Sequence, residues 1–234
     1  MNTDDFRILL KQTFLQHGFP LTELQINQYI TYWTELKRWN SRMNLTSIRD
    51  DYGIIVKHFL DSLSVLHDFS INPRDSVIDV GTGAGFPGVP IKIILPELQL
   101  ALVESSLKKV SFLHYLIAQL RRDAQSDDAA TWEDICVIGE RAEECAEMSQ
   151  HASAYDWVLT RYVASLADSL AYCLPLLKPD GTWIAYKPRN VETEIRSAKS
   201  KLQLFNGGIQ SIINCQIDEL NRTYVAIRRI KEFH

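Results

Sequence analysis

The chain has 234 residues, 46% of them apolar and 23% charged, the proportions of a globular protein. That length suits one α/β domain with a small cap and is enough to bury a substantial core. The net charge of −4 excludes a uniformly basic nucleic-acid binder, so any contact with an anionic polymer must be a local patch.

The charge is uneven. From Thr182 onward Lys187, Arg189, Arg196, Lys199, Lys201, Arg222, Arg228, Arg229 and Lys231 outnumber Glu192, Glu194, Asp218, Glu219 and Glu232, whereas residues 121–160 are strongly acidic. A basic C-terminal side permits an anionic partner, and solvated surface charge accounts for the same counts equally well. Cys136, Cys145, Cys173 and Cys215 form no C-x-x-C pair and lack histidines at zinc spacing, so reduced, mostly buried thiols and no metal site are expected. The N-terminus has early acids and no long apolar run, and no stretch reaches the length of a membrane span. A cytoplasmic monomer with no membrane contact is the expectation.

Taken in order, residues 1–72 read as a cap of three helices. Thr22 and Gln25 form a capping-box pattern, and Ile26, Tyr29, Ile30, Trp33, Leu36 and Trp39 recur at helical spacing. A loop is predicted over 40–48, and helical spacing returns at Ile55, Phe59, Leu63 and Leu66. From residue 73 the pattern alternates. Strands are predicted over 77–80, 98–103, 135–138, 157–160 and 182–186. Helices are predicted over 87–95, 107–120, 142–148, 166–177 and 191–202. An acidic loop over 123–132 and a turn at 178–181 interrupt them. Two final strands, 209–217 and 223–230, are close enough in sequence to pair antiparallel. The expected architecture is α/β: a mostly parallel, doubly wound Rossmann-like sheet (73–234) ending in an antiparallel pair, under an N-terminal helical cap (1–72).

The strongest local signal is Asp79-Val80-Gly81-Thr82-Gly83-Ala84-Gly85-Phe86-Pro87-Gly88, a strand that runs into alternating glycines and then a helix. Glycine permits a tight turn and the close approach of a ligand. Nicotinamide dinucleotide sites use G-x-G-x-x-G, so that a pyrophosphate rests on the helix N-terminus. Here the spacing is G-x-G-x-G, with Asp79 two residues before the first glycine. A carboxylate there repels a pyrophosphate but suits a cation, and S-adenosylmethionine carries an ammonium and a sulfonium. Glu104 ends the second strand, where such folds place an acid for ribose hydroxyls, and Ser105 and Ser106 follow it. Ala142 and Glu143, after the third strand, border the expected adenine position. Arg161, in Thr160-Arg161-Tyr162, ends the fourth strand and could hold a cofactor carboxylate or a phosphate, while Tyr162 could stack on a base, although burial is the expected role. His58, Asp61 and Ser62 share a helix face, but one helical turn cannot supply nucleophile–base–orienter geometry, and no G-x-S-x-G elbow exists. That face is expected to pack the cap over the site and supply polar contacts.

Together these residues resemble the bacterial 16S ribosomal RNA guanine-N7 methyltransferase family (RsmG or GidB), with its class I methyltransferase fold. The similarity runs nearly the whole chain: Trp39-Asn40, Asn44-Leu45-Thr46-Ser47-Ile48, His58-Phe59-Leu60-Asp61-Ser62, Asp79 to Pro90, Glu104-Ser105, Lys108 to Leu113 and Arg141-Ala142-Glu143. The resemblance implies S-adenosylmethionine as cofactor and small-subunit ribosomal RNA, or the small subunit itself, as partner. It implies cofactor binding by Asp79, Gly81, Gly83, Gly85, Phe86, Glu104, Ser105, Ser106, Ala142, Glu143 and Arg161. Arg161, Lys187 and Arg222 become the candidates for the active site or RNA. Two departures are Tyr162, where the family usually has alanine, and Pro188, where it has glycine. Methylation of a small molecule explains the glycine loop equally well but not the N-L-T-S and H-x-L-D-S segments. A nicotinamide oxidoreductase conflicts with the glycine spacing, and a non-catalytic RNA-binding module would bind cofactor without transferring a methyl group.

Overall fold

The computed structural model describes residues 1–124 and 132–230. Two helices open the chain, α1 (Thr3–Gln16) and α2 (Glu23–Met43). The predicted capping box starts α2: Gln25 N donates to Thr22 Oγ1 and Thr22 N to Gln25 Oε1. The helix runs three residues past the predicted boundary at 40 and stops where Asn44 adopts a left-handed φ of 50°. The third expected helix is broken. It consists of α3 (Asp51–Ile54), a π-helical turn (Ile55–Leu60), α4 (Asp61–Leu63) and α5 (Val65–Asp68).

Beyond Ser76 strands and helices alternate: β1 (Ser76–Val80), α6 (Gly88–Ile94), β2 (Gln99–Val103), α7 (Leu107–Ala124), β3 (Ile135–Ile138), α8 (Ala142–Glu147), β4 (Tyr155–Arg161), α9 (Leu166–Leu176), β5 (Leu177–Lys187), α10 (Glu192–Leu204), β6 (Gly207–Ile217) and β7 (Leu220–Arg229). The seven strands form one sheet in the order β3-β2-β1-β4-β5-β7-β6. Its first five strands are mutually parallel, and β7 runs antiparallel to β5 and β6. The terminal antiparallel pair is therefore as expected. The predicted turn at 178–181 is instead an irregularity within β5: Tyr155 pairs Leu177, Trp157 pairs Thr182, and Asp180 takes a φ of 68°. Of the acidic loop predicted over 123–132, Asp123 and Ala124 close α7, Trp132 is buried, and the residues between lie outside the described ones.

Side-chain alternation sends the sheet's two faces into two apolar layers. Val77, Leu100 and Leu102 pack with α1, α2, the 51–68 segment, α6 and α7. Ile78, Ala101 and Val103 pack with α8, α9 and α10. The cap is thus continuous with one layer of the core. The order of strand addition reverses between β1 and β4, the switch point beyond whose carboxyl ends doubly wound folds bind ligands. All four cysteines are free: Cys145 and Cys173 are buried, Cys215 half-buried and Cys136 exposed.

Candidate active site

At the carboxyl end of β1, Asp79 is fully buried and its Oδ2 accepts from Thr82 Oγ1 at 2.6 Å and Gly88 N at 2.8 Å. One oxygen therefore fastens both ends of the glycine segment, a role the sequence reading did not assign. Oδ1 is buried with no hydrogen-bond partner among the described residues. Burial pushes the Asp79 carboxyl up to about 6, against the pull of the Thr82 and Gly88 hydrogen bonds and of Arg161. Gly85 has a φ of 103°, and a Cβ there would lie 2.7 Å from Tyr32 Oη. Tyr32 uses that hydroxyl to donate to Ala84 O at 2.6 Å, so the cap holds the loop from outside. Gly83, by contrast, faces open space: an added Cβ meets nothing within 4 Å.

Glu104 stands beside this opening at the end of β2. Its Oε2 accepts from Gly83 N at 3.0 Å, its Oε1 accepts from Ser106 N at 2.9 Å, and Lys109 Nζ lies 3.6 Å from Oε2. Glu104 N donates to Ile138 O at 3.1 Å, which brings the end of β3 to the same edge. Ala142 and Glu143 follow at the start of α8, and Ser105 is exposed. A loop backbone open at Gly83, an orphaned buried carboxylate oxygen and an acid at the second strand end match the needs of a cationic nucleoside such as S-adenosylmethionine.

The opposite wall is aromatic and ionic. Phe86 is stacked on His58 at 4.3 Å between ring centroids and on Tyr32 at 5.1 Å, and the Arg161 guanidinium carbon lies 5.1 Å from its ring. Arg161 does not reach out to solvent as a strand-end arginine can. It is buried, and its Nη1 donates to Asp61 Oδ2 at 2.9 Å. Arg222, also buried, forms a two-pronged pair with the same carboxylate, Nε to Oδ1 at 2.6 Å and Nη2 to Oδ2 at 3.0 Å. Burial alone would lower the Arg222 pKa, but the Asp61 carboxylate outweighs it and the net direction is upward. Two guanidiniums thus share one fully buried acid, leaving one net positive charge against Phe86.

His58 accompanies this group without being a base. Its Nε2 is 2.7 Å from Thr46 Oγ1, and burial, reinforced by Arg161, pushes its pKa down to about 3. Ser62 Oγ donates to His58 O, one turn back along the same helix. The H-x-L-D-S and N-L-T-S segments therefore meet at the site, His58 and Asp61 supply the polar contacts expected of that helix face, and Thr46 is a neighbour the sequence did not single out. The available signal for the Asp61 pairing was two arginines at strand ends that need a common acid. Tyr162 departs from its expected burial: it follows β4 with a φ of 55°, is 70% exposed, and receives a hydrogen bond from Arg222 Nη2. Lys187 is drawn away from a free surface position, donating to Glu194 Oε1 at 2.6 Å and Ala164 O at 2.9 Å. Among the described residues no cluster suits a metal ion and no helix is long and apolar enough to cross a membrane.

The sheet order, the glycine segment and the strand-end acid define a class I, Rossmann-like methyltransferase. Solved structures share that fold at low identity: M. jannaschii TYW2 in complex with AdoMet (TM-score 0.58, 14% identity, 79% of this chain and 80% of that one) and a SAM dependent methyltransferase from Aquifex aeolicus (TM-score 0.55, 14% identity, 77% and 95%). The family described as rRNA small subunit methyltransferase G (GidB) matches residues 25–223, and the chain belongs to it. Among curated relatives, the ribosomal RNA small subunit methyltransferase G of Clostridium kluyveri is 39% identical over 91% of this chain and 86% of its own length. That of Desulforamulus reducens is 36% identical over 98% and 92%.

Proposed function

We propose that this chain transfers the methyl group of S-adenosylmethionine to N7 of a guanine in 16S ribosomal RNA. The observation that carries the chemistry is a buried histidine, His58, stacked on Phe86 and held in a non-basic form at the acceptor side of the site. Guanine N7 has an in-plane lone pair and no proton to lose, so a histidine held neutral and non-basic beside Phe86 is compatible with attack at N7. When bound, S-adenosylmethionine supplies a methyl carbon activated by its sulfonium. Glu104 orients the nucleoside through its strand-end carboxylate, and the Gly81–Gly85 backbone permits close approach. Phe86, clamped by His58 and Tyr32, forms a rigid apolar wall that excludes water from the line of transfer. Arg161 and Arg222, fixed by Asp61, present donors toward the acceptor base, and the base must leave its stack to reach them. Ser105, Ser106, Ala142 and Glu143 line the nucleoside end, while Lys187 supports the β5 edge through Glu194.

We read the chain as a cytoplasmic monomer of 26.8 kDa in which the helical cap (1–72) covers the catalytic unit (73–234), and sedimentation gives the mass directly. The reaction is tested on RNA. N7-methylation makes the nucleotide labile to reduction and strand scission, so 16S RNA incubated with enzyme and cofactor gains one cleavage site absent without cofactor. If no new site appears while a small-molecule acceptor is methylated, the RNA assignment is wrong.

A further inference from the structure

Five of the basic residues from Thr182 onward already have partners. Arg222 is bound by Asp61, Lys187 by Glu194, Lys201 by Asp168 and Arg228 by Asp180, and Arg229 donates to Ser153 and Leu177 O. Arg196 and Lys199 of α10 are exposed without an ion pair among the described residues, and a second such pair of cations lies at the C-terminal end of α2. Arg42 and Arg49 are exposed and form no ion pair among the described residues. They flank the same helix end. Arg42 lines a cavity of about 380 Å³ with Arg38, Trp39 and Met43, and Arg49 lines a smaller one of about 150 Å³ with Asn40 and Ser41. The acids nearby are already engaged: Glu35 lies 3.0 Å from Arg38 Nε, Asp51 is held by Lys37 and Trp33, and Asp50 caps Gly53 N. The helix dipole attracts a cation to this terminus, but it does not account for Arg49, which lies beyond the helix.

The patch is tied to the active site by direct contacts. Asn40 Oδ1 accepts from Thr46 N at 2.9 Å, Thr46 Oγ1 lies 2.7 Å from His58 Nε2, and His58 stacks on Phe86. On its other side Trp39 packs edge-on against Phe112 of α7, the helix that starts three residues after Glu104. We propose that Arg42 and Arg49 form a docking surface for RNA phosphates flanking the target base, with Trp39 and Arg38 walling the cavity on the Arg42 side. The inference rests on the RNA reading above. It moves the substrate's backbone from the C-terminal segment to the cap, and gives the N-L-T-S loop the role of joining RNA docking to the Phe86 wall.

The test is filter binding of in vitro transcribed 16S RNA and of purified small subunits, without cofactor, alongside methyl transfer. Arg42→Glu/Arg49→Glu is compared with Arg196→Glu/Lys199→Glu, which makes the same change in net charge at exposed positions of α10 on the opposite layer. The cap variant is expected to lose RNA affinity about tenfold or more and to flatten the salt dependence by roughly one to two units of slope. S-adenosylmethionine affinity should stay within about twofold, and the α10 variant should bind RNA as the wild type does. Equal losses in both variants, unchanged RNA binding in the cap variant, or a matching loss of its cofactor affinity would each overturn the proposal. So would a wild-type chain that binds neither RNA nor subunits. A wild-type chain that binds RNA through these arginines yet leaves it unmethylated refutes the reaction and leaves the surface standing.

Discussion

Replacing Asp61 by alanine removes the carboxylate that two buried guanidiniums share. Three charge-assisted hydrogen bonds disappear, at 2.6, 2.9 and 3.0 Å. What remains to Arg161 Nη1 is the Lys57 carbonyl at 3.4 Å, and to Arg222 the Tyr162 hydroxyl. Breaking a buried pair by deleting one partner costs about 3–5 kcal/mol, because an uncompensated charge stays behind. Here two such charges face each other, so the upper part of that range is expected. At roughly 2–4 °C per kcal/mol for a chain of this size, the Tm should fall by about 10–20 °C. Asp61→Asn should behave similarly, since an amide N–H would point at one of the guanidinium donors. Urea denaturation followed by circular dichroism gives the free energy, and a loss below about 1 kcal/mol would refute the argument. The compensated variant Asp61→Leu/Arg161→Met/Arg222→Leu separates charge from packing. Apolar replacement of a whole buried ion group is often neutral or stabilising, so this variant should regain most of the lost stability while remaining unable to methylate RNA.

The two buried titrations oppose each other. His58, at about 3 folded and near 6.5 unfolded, contributes stability that is present above about 6.5 and is lost toward pH 3 at about 1.4 kcal/mol per unit; urea titrations of His58→Asn should lack that acid loss. Asp79, raised to about 6, contributes stability present at low pH and lost as pH rises through 6, so Asp79→Asn should flatten that segment of the curve. Gly83→Ala should cost only about 1–2 kcal/mol in a denaturant titration yet weaken cofactor binding by calorimetry, because its Cβ points into open space, whereas Gly85→Ala should destabilise the fold more strongly through Tyr32. Glu104→Ala should weaken cofactor binding by roughly 1.5–3 kcal/mol in calorimetry with the fold retained; an unchanged affinity would make it a purely local anchor for Gly83 and Ser106.

Most of the sheet was legible because its rules are local. Apolar runs ending in glycine or an acid give β1 and β2, and a switch in periodicity gives the helices between strands. The 51–68 segment was less so: Ile55, Phe59, Leu63 and Leu66 keep helical spacing, but the backbone takes a π turn at Ile55–Leu60, and nothing in the spacing reports that widening. The Pro179-Asp180-Gly181 turn chemistry was genuine, with Asp180 at positive φ, but the β4 pairing on both sides absorbed it into one strand. At the site, the residues and the His58–Asp61 face were legible, but which remote side chains pair with which was not. Glu104 and Gly83 are placed by strand ends, whereas Arg161 and Arg222 meet Asp61 across 100 and 161 residues. Tyr162 misled because an aromatic beside a core strand is usually inside, while its positive φ turns it outward under two guanidiniums.

The same long-range pairing explains why the specific motifs of the chain lie outside the sheet that binds the nucleoside. A glycine loop and a strand-end acid suffice for a cofactor and are shared by many such sheets. On the proposed reading the acceptor side needs a wall, and the cluster assigned to it draws on both parts of the chain. Phe86 and Arg161 come from the sheet edge, His58 and Asp61 from the broken helix of the cap, and Thr46 from the loop after α2. Each cap residue has a partner that would be a buried liability without it: a guanidinium without Asp61, an imidazole nitrogen without Thr46. The proposed acceptor wall is thus made of contacts between residues of the first 72 and residues of the sheet. A residue such as Asp61 can then be essential to methyl transfer without touching either the methyl group or the base, by fixing where two arginines point.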